Sequence, residues 1–256
     1  MKNDSKHMRF VIPTDALMTA IGVMSVNTHC FITNTPDGLY FTTINDGNTI
    51  GANVYFSSES IRWYQNDMFY VGIECQQLDM WLRTIFTGEV YVSINEEYAL
   101  FQSDKHSLKL RTCTSERRRD NFKFSKGIRD VHTYSIDVDF HFLHNCIGSM
   151  ECFTDYCYVI PKPHGLSLTT DERCGVTFDS KQYDVSFWIS GKTDIKGELW
   201  GYTMYKSDLL HTAISQFPYR QQLGKVSYGK DVPIEFSFEK HGGVYSVFVV
   251  PSLLYC

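Results

Sequence analysis

The sequence predicts an α+β protein made of two duplicated halves, each with helices packed on antiparallel sheets. The main observation is an internal repeat, because Pro36–Thr43 and Pro163–Thr170 share their Pro, Gly, Leu and both Thr residues and are separated by about half of the 256-residue chain. With 15% aromatic residues, including sixteen Tyr and eighteen Phe, each half should be rich in strands. A second match lies upstream at nearly the same spacing, where Leu17, Ile21, Gly22 and Met24 correspond to Leu143, Ile147, Gly148 and Met150.

Composition and charge narrow the class of protein. Hydrophobic residues make up 43% and charged residues 21% of the chain, as in ordinary soluble proteins. Met1–His7 lacks the apolar core of a signal peptide and no run of about 18 apolar residues occurs, so we expect an intracellular protein without a membrane partner. Eight Cys residues without a Cys-x-x-Cys pair are typical of reduced, structural thiols. A net charge of −5 predicts that any polyanion must bind a local basic surface.

The first half begins with a strand and an amphipathic helix. Arg9–Ile12 is a short strand candidate, and Pro13–Asp15 offers helix-start residues. Apolar side chains then follow at helical spacing at Leu17, Ile21 and Met24.

Strands and a second helix fill the rest of the first half. Pro36–Gly38 and Asn45–Asn48 are turn signals between strands, and Glu74–Phe86 has the apolar spacing of a helix that ends before Gly88. The predicted strands are Cys30–Thr33, Leu39–Ile44, Ile50–Phe56, Met68–Ile73, Val90–Ile94, Tyr98–Gln102 and Ser107–Thr112.

The second half repeats this plan. Helices are predicted at Asp139–Glu151 and Lys206–Phe217, and Pro218 prevents continuation of the latter. Lys162–Gly165 is a turn. The predicted strands are Tyr134–Val138, Tyr156–Ile160, Leu166–Thr170, Gly175–Asp179, an irregular Asp184–Ile189, Leu199–Thr203, Lys225–Tyr228, Ile234–Phe238 and Val244–Val250.

A basic segment without periodicity separates the halves. It contains Arg117–Arg119 and divides the chain into an N-terminal domain (1–113), a connector (114–133) and a C-terminal domain (134–256). The arginines could contact DNA, an acidic partner or a localisation receptor, or form a solvated loop.

This layout resembles the sliding clamps of the proliferating cell nuclear antigen (PCNA) family. The phrases Asp37–Phe41, Gly72–Glu74, Asp231–Ile234 and Phe248–Pro251 are similar to that family's landmarks and occur in the right order over nearly the whole chain. The resemblance implies the DNA clamp fold, with two clamp domains per chain and a head-to-tail ring.

The resemblance also implies a function. A homotrimer would encircle duplex DNA independently of its sequence, act as a processivity factor, and tether DNA polymerase and other replication and repair proteins through peptide motifs. A clamp loader would be a further partner. No cofactor and no catalytic residue are expected, and the protein would act at sites of DNA replication, in the nucleus if eukaryotic or in the host cell if viral.

Two other interpretations stay open. The first is a clamp-fold adaptor that does not encircle DNA tightly, such as a checkpoint-clamp subunit or a viral processivity or transcription accessory factor. The second is a zinc-dependent enzyme. Its ligands would lie among His141, His144, Cys146, Cys152 and Cys157, but their spacing differs from that of structural zinc sites.

The resemblance assigns the helices to DNA, where Lys and Arg would contact phosphates. The sequence departs from the family here, because Met18, Thr19, Ser25, Met80, Asn145 and Ser149 stand where the family tends to be basic. The remaining candidate DNA-facing donors are Arg83, Lys206 and His211.

Two other surfaces are implied by the resemblance. One is an apolar pocket for partner peptides, for which ordinary core and turn packing is the alternative. The other is the subunit interface, where an edge strand at Ser107–Cys113 would pair with one at Cys174–Ser180. The predicted pocket residues are Ile44, Ile128, Pro233, Phe248, Val250 and Pro251, with Phe122 and Phe124 at its rim. The predicted interface residues are His106, Leu108, Leu110, Cys174, Val176 and Phe178.

Overall fold

A computed structural model describes residues 7–66, 70–85, 88–113, 128–170, 185–197, 199, 201–218 and 223–252, and the side chains of residues 64–66 lie outside this description. The chain forms two compact units. The first unit comprises Met1–Asp46, Gly51–Ser125 and Glu239–Ser246, and the second comprises Gly47–Ile50, Lys126–Phe238 and Val247–Cys256. The domain limits at residues 113 and 134 stay a prediction.

The first unit contains two helices and antiparallel strands. Strands β5-β1-β7-β8-β9 form one sheet in that order, and β4, β3, β2 and β6 are successive neighbours in another. The elements are β1 (Met8–Pro13), α1 (Thr14–Met24), β2 (His29–Thr35), β3 (Gly38–Ile44), β4 (Ile50–Ser57), a 3-10 turn (Ser58–Ser60), β5 (Arg62–Asn66), β6 (Tyr70–Glu74), α2 (Cys75–Leu82), β7 (Glu89–Ile94), β8 (Tyr98–Gln102) and β9 (Ser107–Arg111).

The second unit has the same composition of elements. Strands β14-β10-β16-β17 are successive antiparallel neighbours, and β13-β12-β11-β15 form a separate sheet. The elements are β10 (Tyr134–Asp139), α3 (Phe140–Glu151), β11 (Tyr156–Lys162), β12 (Gly165–Thr169), β13 (Ser186–Ser190), β14 (Thr193–Ile195), β15 (Thr203–Lys206), α4 (Ser207–Ser215), β16 (Leu223–Tyr228), β17 (Ile234–Lys240) and β18 (Gly243–Val249), of which β17 and β18 each have residues in both units.

The repeated glycines have the same structural role in both units. Gly38 begins β3 and pairs with Ser57, whereas Gly165 begins β12 and pairs with Ser190. A Cβ atom on Gly38 would lie 2.1 Å from the Phe56 carbonyl oxygen, and one on Gly165 would lie 2.6 Å from the Ile189 carbonyl oxygen. The repeat therefore preserves a close approach of two strands that a side chain would obstruct.

Helical periodicity buries one face of each helix. Leu17, Ile21 and Met24 of α1 and Leu143 and Ile147 of α3 are all buried, as their spacing predicts. Burial of such side chains stabilises each unit by about 1.5–3 kcal/mol per residue.

Buried tyrosines complete both cores. In the first unit the Tyr245 hydroxyl donates to the Ala16 carbonyl at 3.4 Å, and its ring packs edge-on against Phe56. In the second unit the Tyr134 hydroxyl contacts the carbonyls of Lys162 and Gly165, so β10 is held to the β11–β12 turn. Burial raises the pKa of Tyr134 to about 12.

Several predicted element limits were wrong. Helix α2 ends at Leu82 and not at Phe86, because amides of Thr84 and Ile85 bond to the Trp81 and Leu82 carbonyls and close the last turn. Ile85 is still buried, so the apolar spacing in the sequence continues beyond the end of the helix.

Two strands were not predicted. β5 has no regular alternation and pairs with β1 across an irregularity between Arg9 and Phe10, whereas β14 has only three residues. The strand expected at Leu199–Thr203 lies instead at Thr203–Lys206, and the predicted strand Gly175–Asp179 lies outside the described residues. Within the described ranges, no helix is long and apolar enough to cross a membrane.

Candidate functional site

The outward face of α1 and α2, which we call the first helix pair, offers little positive charge. Asp15 and Met80 are exposed, the latter with 63% of its surface accessible. The predicted DNA contact Arg83 directly follows α2, and its Nε lies 2.8 Å from Asp79 Oδ2. Arg83 is exposed, but Asp79 competes with any phosphate for its guanidinium group.

The second helix pair, α3 and α4, carries a cluster of histidines instead. The predicted DNA contact His211 donates from Nδ1 to the Glu151 carboxylate. The rings of His144 and His211 meet edge to face, with centroids 4.9 Å apart, and His144 Nε2 lies 3.2 Å from Ser215 Oγ. Hydrogen bonds and ring contacts therefore link residues of both helices on one polar face.

Proximity within this cluster affects proton binding. Partial burial, and then the neighbouring charge of His211, lower the pKa of His144 below its ordinary value. His144 is consequently neutral at physiological pH.

None of the helices α1 to α4 contains a Lys or Arg within its bounds. The acidic residues of these helices are Asp15, Asp79, Glu151 and Asp208. The predicted contact Lys206 is exposed but immediately precedes α4, as Arg83 immediately follows α2. The basic side chains next to these helices therefore lie at the helix ends. The electrostatic effect of the helix dipole on them is limited to the first or last turn.

Strand β9 forms an edge of the first unit's five-stranded sheet. Ser103 N bonds to His106 O and Thr112 N to Glu97 O, so even-numbered residues of β9 exchange hydrogen bonds with β8. The backbone N–H and C=O groups of Ser107, Lys109 and Arg111 consequently point away from β8. The next odd residue, Cys113, uses these outward groups to pair with Gly72 at 2.7 and 2.9 Å.

The predicted interface residues of β9 differ in exposure. His106 is exposed and Leu108 is half-buried, whereas Leu110 is only 3% exposed and belongs to the core of the first unit. A pairing strand would therefore be held by backbone groups and not by the Leu110 side chain. A cleft of about 590 Å³, lined in part by His29, Glu74 and the Lys109–Cys113 segment, adjoins this edge. The other predicted interface residues, Cys174, Val176 and Phe178, lie outside the described residues.

In the second unit, hydrogen bonds fix the segments that carry most predicted peptide contacts. The Val250 amide donates to the Thr49 carbonyl at 2.9 Å, and the Tyr205 hydroxyl donates to the Val232 carbonyl at 3.0 Å. His132 Nε2 donates to the Pro233 carbonyl at 2.9 Å. Pro233 and Val250 are half-buried and accessible to a partner.

A buried ionic group lies behind this surface. Glu235 is 4% exposed and accepts from Arg129, whose guanidinium lies 2.9 Å away. His132 lies 3.5 Å from the same carboxylate, and burial lowers the pKa of His132 from its ordinary value. Sequence reasoning missed all three residues, because no local spacing connects the helical turn at 128–131 with β17.

Other predicted pocket residues are less accessible. Phe248 is 2% exposed, and Ile128 and Pro251 are buried, so these side chains offer a peptide almost no surface in this conformation. Ile44 is the last residue of β3 in the first unit, and its carbonyl accepts from Asn27. Membership of a peptide pocket stays a prediction for all six residues. Phe122 and Phe124 lie outside the described residues.

Among the described residues, no group of three His, Cys, Asp or Glu side chains is placed to hold a metal ion. Cys146 and Cys157 are buried, and burial raises the pKa of both thiols, that of Cys157 to about 12. The cysteines described here are not in disulfides. Arg117–Arg119 lie outside the described residues.

Comparisons with known proteins give a clear result at the level of structure. No protein-family model and no curated protein sequence matches the chain. Solved PCNA structures match nearly the whole chain. The PCNA from Thermococcus kodakaraensis matches with a TM-score of 0.74 and 11% sequence identity, over 96% of this chain and 100% of that PCNA chain. The A. fulgidus PCNA bound to the C-terminal region of FEN-1 gives 0.71 and 13%, over 96% and 99%. Entamoeba histolytica PCNA gives 0.71 and 10%, over 97% and 99%.

Identity at this level establishes the fold alone. The antiparallel sheets, the two helices in each unit and the repeated glycine turns agree with it. The chain has the fold of the PCNA sliding clamps, as the resemblance implied.

Proposed function

We propose that the chain is the subunit of a DNA sliding clamp, a non-enzymatic homotrimeric ring that encircles duplex DNA and tethers DNA polymerase and other proteins. The observation that carries this proposal is the agreement with PCNA structures over nearly all of both chains. The protein would act inside the cell at sites of replication, in the nucleus or in an infected host cell, and a clamp loader would open the ring.

The edge of β9 from Ser107 to Arg111, which pairs with no strand other than β8 among the described residues, supports ring closure. An exposed edge invites pairing with another strand, and a head-to-tail arrangement would cover the edge on every subunit. Lys109→Pro removes an amide that points away from β8, so it should block the pairing between subunits while the unit stays folded. Mass measurement by light scattering should show the wild type at three times the 29.6 kDa subunit mass and this variant as a monomer.

Leu108→Pro is the matched control, because it removes an amide that bonds to β8 inside the unit and should lower the free energy of unfolding by about 3 kcal/mol. A folded Lys109→Pro variant that remains fully trimeric at micromolar concentration would remove β9 from the interface.

We propose that partner peptides with spaced apolar and aromatic anchors bind the surface of the second unit around Pro233 and Val250. One of the matching PCNA structures holds the C-terminal region of FEN-1, which supports a peptide site in this fold. Val250→Ala should weaken the binding of a fluorescent peptide of this type by about 1–2 kcal/mol if Val250 is an anchor. Phe248→Ala is a poor test, since loss of a buried Phe costs about 3–5 kcal/mol of stability by itself. An unchanged dissociation constant in folded Val250→Ala and Pro233→Ala would exclude the surface.

Duplex DNA should be held by topology more than by affinity. Arg83 and Lys206 are the candidate phosphate contacts at neutral pH, and three copies multiply them. We expect weak, salt-sensitive binding to linear duplex and long retention on closed circular DNA after loading. Replacement of Arg117–Arg119 should affect binding less than loss of Arg83, and the reverse result would place DNA at the connector.

The alternative function is a clamp-fold adaptor that does not encircle DNA tightly. It is favoured by one observation, the absence of Lys and Arg from α1 to α4. A monomer or dimer at all concentrations, together with equal loss from circular and linear DNA, would establish the adaptor and exclude the ring.

A further inference from the structure

The turn between β16 and β17 carries Pro233, and side chains of the second unit hold its main chain. The Tyr205 hydroxyl donates to the Val232 carbonyl at 3.0 Å, and His132 Nε2 donates to the Pro233 carbonyl at 2.9 Å. Tyr205 and His132 are both buried, so the two successive carbonyls point inward. Pro233 is half-buried, and these two hydrogen bonds therefore determine which side of its ring stays accessible.

A buried carboxylate lies beneath the same turn. Glu235, the second residue of β17, is 4% exposed. Arg129 Nε and Nη2 each lie 2.9 Å from Glu235 Oε1, and His132 Nδ1 lies 3.5 Å from Glu235 Oε2. One imidazole thus faces the Pro233 carbonyl with one nitrogen and the Glu235 carboxylate with the other.

Arg129 and His132 belong to one short segment before β10. The His132 amide bonds to the Arg129 carbonyl at 3.4 Å, which keeps the two residues on one turn. A buried carboxylate is costly unless it is paired, so the Arg129 ion pair fixes this segment against β17. Glu235 is too deeply buried to contact a peptide, and it acts on the surface only through Arg129 and His132.

The imidazole is the titratable group that links these contacts. Burial, the largest effect, lowers the pKa of His132 from its ordinary value, although the Pro233 hydrogen bond and the Glu235 charge oppose it. The charges of Arg129 and of Lys196, which follows β14, lower this pKa further. Since burial outweighs the favourable contacts, a protonated imidazole is more stable where it reaches water, away from the Pro233 carbonyl.

We propose that Arg129, His132 and Glu235 are positioning residues of the peptide site: through the imidazole they hold the β16–β17 turn so that Pro233 faces the peptide, and protonation of His132 releases the turn. The peptide site rests on the proposed function, and the positioning role deepens it. A bound peptide needs the held turn and hence the neutral imidazole, so peptide and proton compete. Peptide affinity should therefore be complete above the usual histidine pKa of about 6.5 and fall as the pH drops through the lowered pKa of His132.

The test is the affinity for a fluorescent peptide with blocked ends and Ile and Phe anchors but no Asp, Glu or His, measured by fluorescence anisotropy at about pH 7.5 and about pH 5. The wild type should bind roughly threefold more weakly at the lower pH, a part of the tenfold change that a full unit of pKa difference would give. His132→Gln keeps a donor for the Pro233 carbonyl but does not titrate, so its affinity should be equal at both pH values. His164→Gln, which replaces an exposed histidine in the β11–β12 turn, is the matched control and should show the wild-type loss.

Glu235→Gln provides a second comparison. The amide keeps an acceptor for Arg129 but removes the negative charge that raises the pKa of His132. The loss of peptide affinity should then shift to lower pH, whereas a purely structural role of Glu235 would not move its midpoint. An unchanged midpoint in the folded variant would contradict the role of Glu235.

The unaltered protein provides a third comparison, which needs no variant to fold. The titration midpoint of the His132 imidazole, followed by NMR, should move to lower pH when peptide is bound, because binding and protonation oppose each other. An equal midpoint with and without peptide would overturn the positioning role. An equal acid loss in the wild type and in His132→Gln, or no acid loss in the wild type, would overturn it as well.

Failure of the proposed peptide surface would give a different pattern. The wild type would then not bind the peptide at about pH 7.5, or Pro233→Ala and Val250→Ala would leave its binding unchanged, and both proposals would be refuted. A peptide that binds at this surface with the same pH profile in the wild type and in His132→Gln would refute the positioning role alone.

Discussion

The two helix pairs have equivalent places in a duplicated fold but carry different chemistry. The first pair contains no histidine, and its neighbouring cation Arg83 is bound to Asp79. The second pair contains three histidines, of which His144 and His211 are in ring contact. The same backbone therefore presents a face of nearly constant charge in one unit and a face with a pH-dependent charge in the other.

The difference shows which features of the repeat are structural. Gly38 and Gly165 recur because a neighbouring carbonyl occupies the space of a side chain, and the apolar residues of α1 and α3 recur because both helices bury one face. The outward residues have no such constraint, so they differ between the halves.

The largest expected effect concerns the backbone feature that the two units share. Gly38→Ala and Gly165→Ala should each lower the free energy of unfolding by about 3 kcal/mol, because a Cβ atom would overlap a strand carbonyl. Gly38→Ala should cost more, since its contact is 2.1 Å and that of Gly165 is 2.6 Å. Urea titration measures both changes in the free energy of unfolding. A loss in either variant as small as that of an ordinary surface substitution would contradict the shared role of the two glycines.

The next prediction uses the buried histidine of the second unit. No histidine in the described part of the first unit is buried, whereas His132 is 9% exposed. Its lowered pKa means that the unfolded chain binds the proton more readily, so this contribution to stability is complete above the unfolded value of about 6.5 and is lost as the pH falls below it. Each unit of pKa difference corresponds to about 1.4 kcal/mol.

His132→Gln keeps an amide donor for the Pro233 carbonyl and removes the titration. Thermal unfolding between about pH 7.5 and pH 5.5 should therefore show a smaller loss of stability for the variant than for the wild type. A parallel decline in both proteins would exclude His132 as a source of acid sensitivity.

A smaller effect on stability should differ between α1 of the first helix pair and α3 of the second. Gly22 and Gly148 match in the repeat, but a Cβ atom on Gly22 meets nothing within 4 Å, whereas one on Gly148 would lie 3.4 Å from His211 Nε2. Gly22→Ala should stabilise the protein by about 0.5–1 kcal/mol through helix propensity. Gly148→Ala should gain slightly less because its methyl group would lie at the close limit of van der Waals contact with His211, and equal gains in chemical denaturation would show that the histidine does not constrain α3.

The smallest effect concerns the first helix pair. Because Asp79 already holds Arg83, Arg83→Ala should reduce the salt dependence of DNA binding by less than the value of about 0.9 for a fully engaged phosphate contact. Asp79→Asn should increase it by releasing the guanidinium. Binding isotherms at several salt concentrations measure both changes, and a steeper dependence for Arg83→Ala than for the wild type would contradict the assignment.

Much of the fold follows from local sequence. The repeat, the apolar spacing of α1 and α3, and the turn residues at Pro36–Gly38 predicted two similar halves and most of their strands, because burial period and turn preference are local properties. The resemblance to sliding clamps was confirmed at the level of fold.

Local sequence also predicted the sparing use of Lys and Arg on the helices. Arg83, Lys206 and His211 were assigned to DNA through the resemblance, and their contact with DNA stays a prediction. The partner of His211 was not found, since Glu151 is 60 residues from His211 in the chain, and a spacing of that length has no periodic signal.

Only the tertiary structure decided which side chains meet and which backbone groups face outward. Sheet packing buries Phe248, although sequence alone could not separate core from surface in β18, where both faces are largely apolar. The register of β8 and β9 determines that Lys109 and not Leu108 directs its amide to the free edge. Helix packing brings His144, His211 and Ser215 together, because contacts between distant residues depend on the arrangement of whole elements and not on their local order.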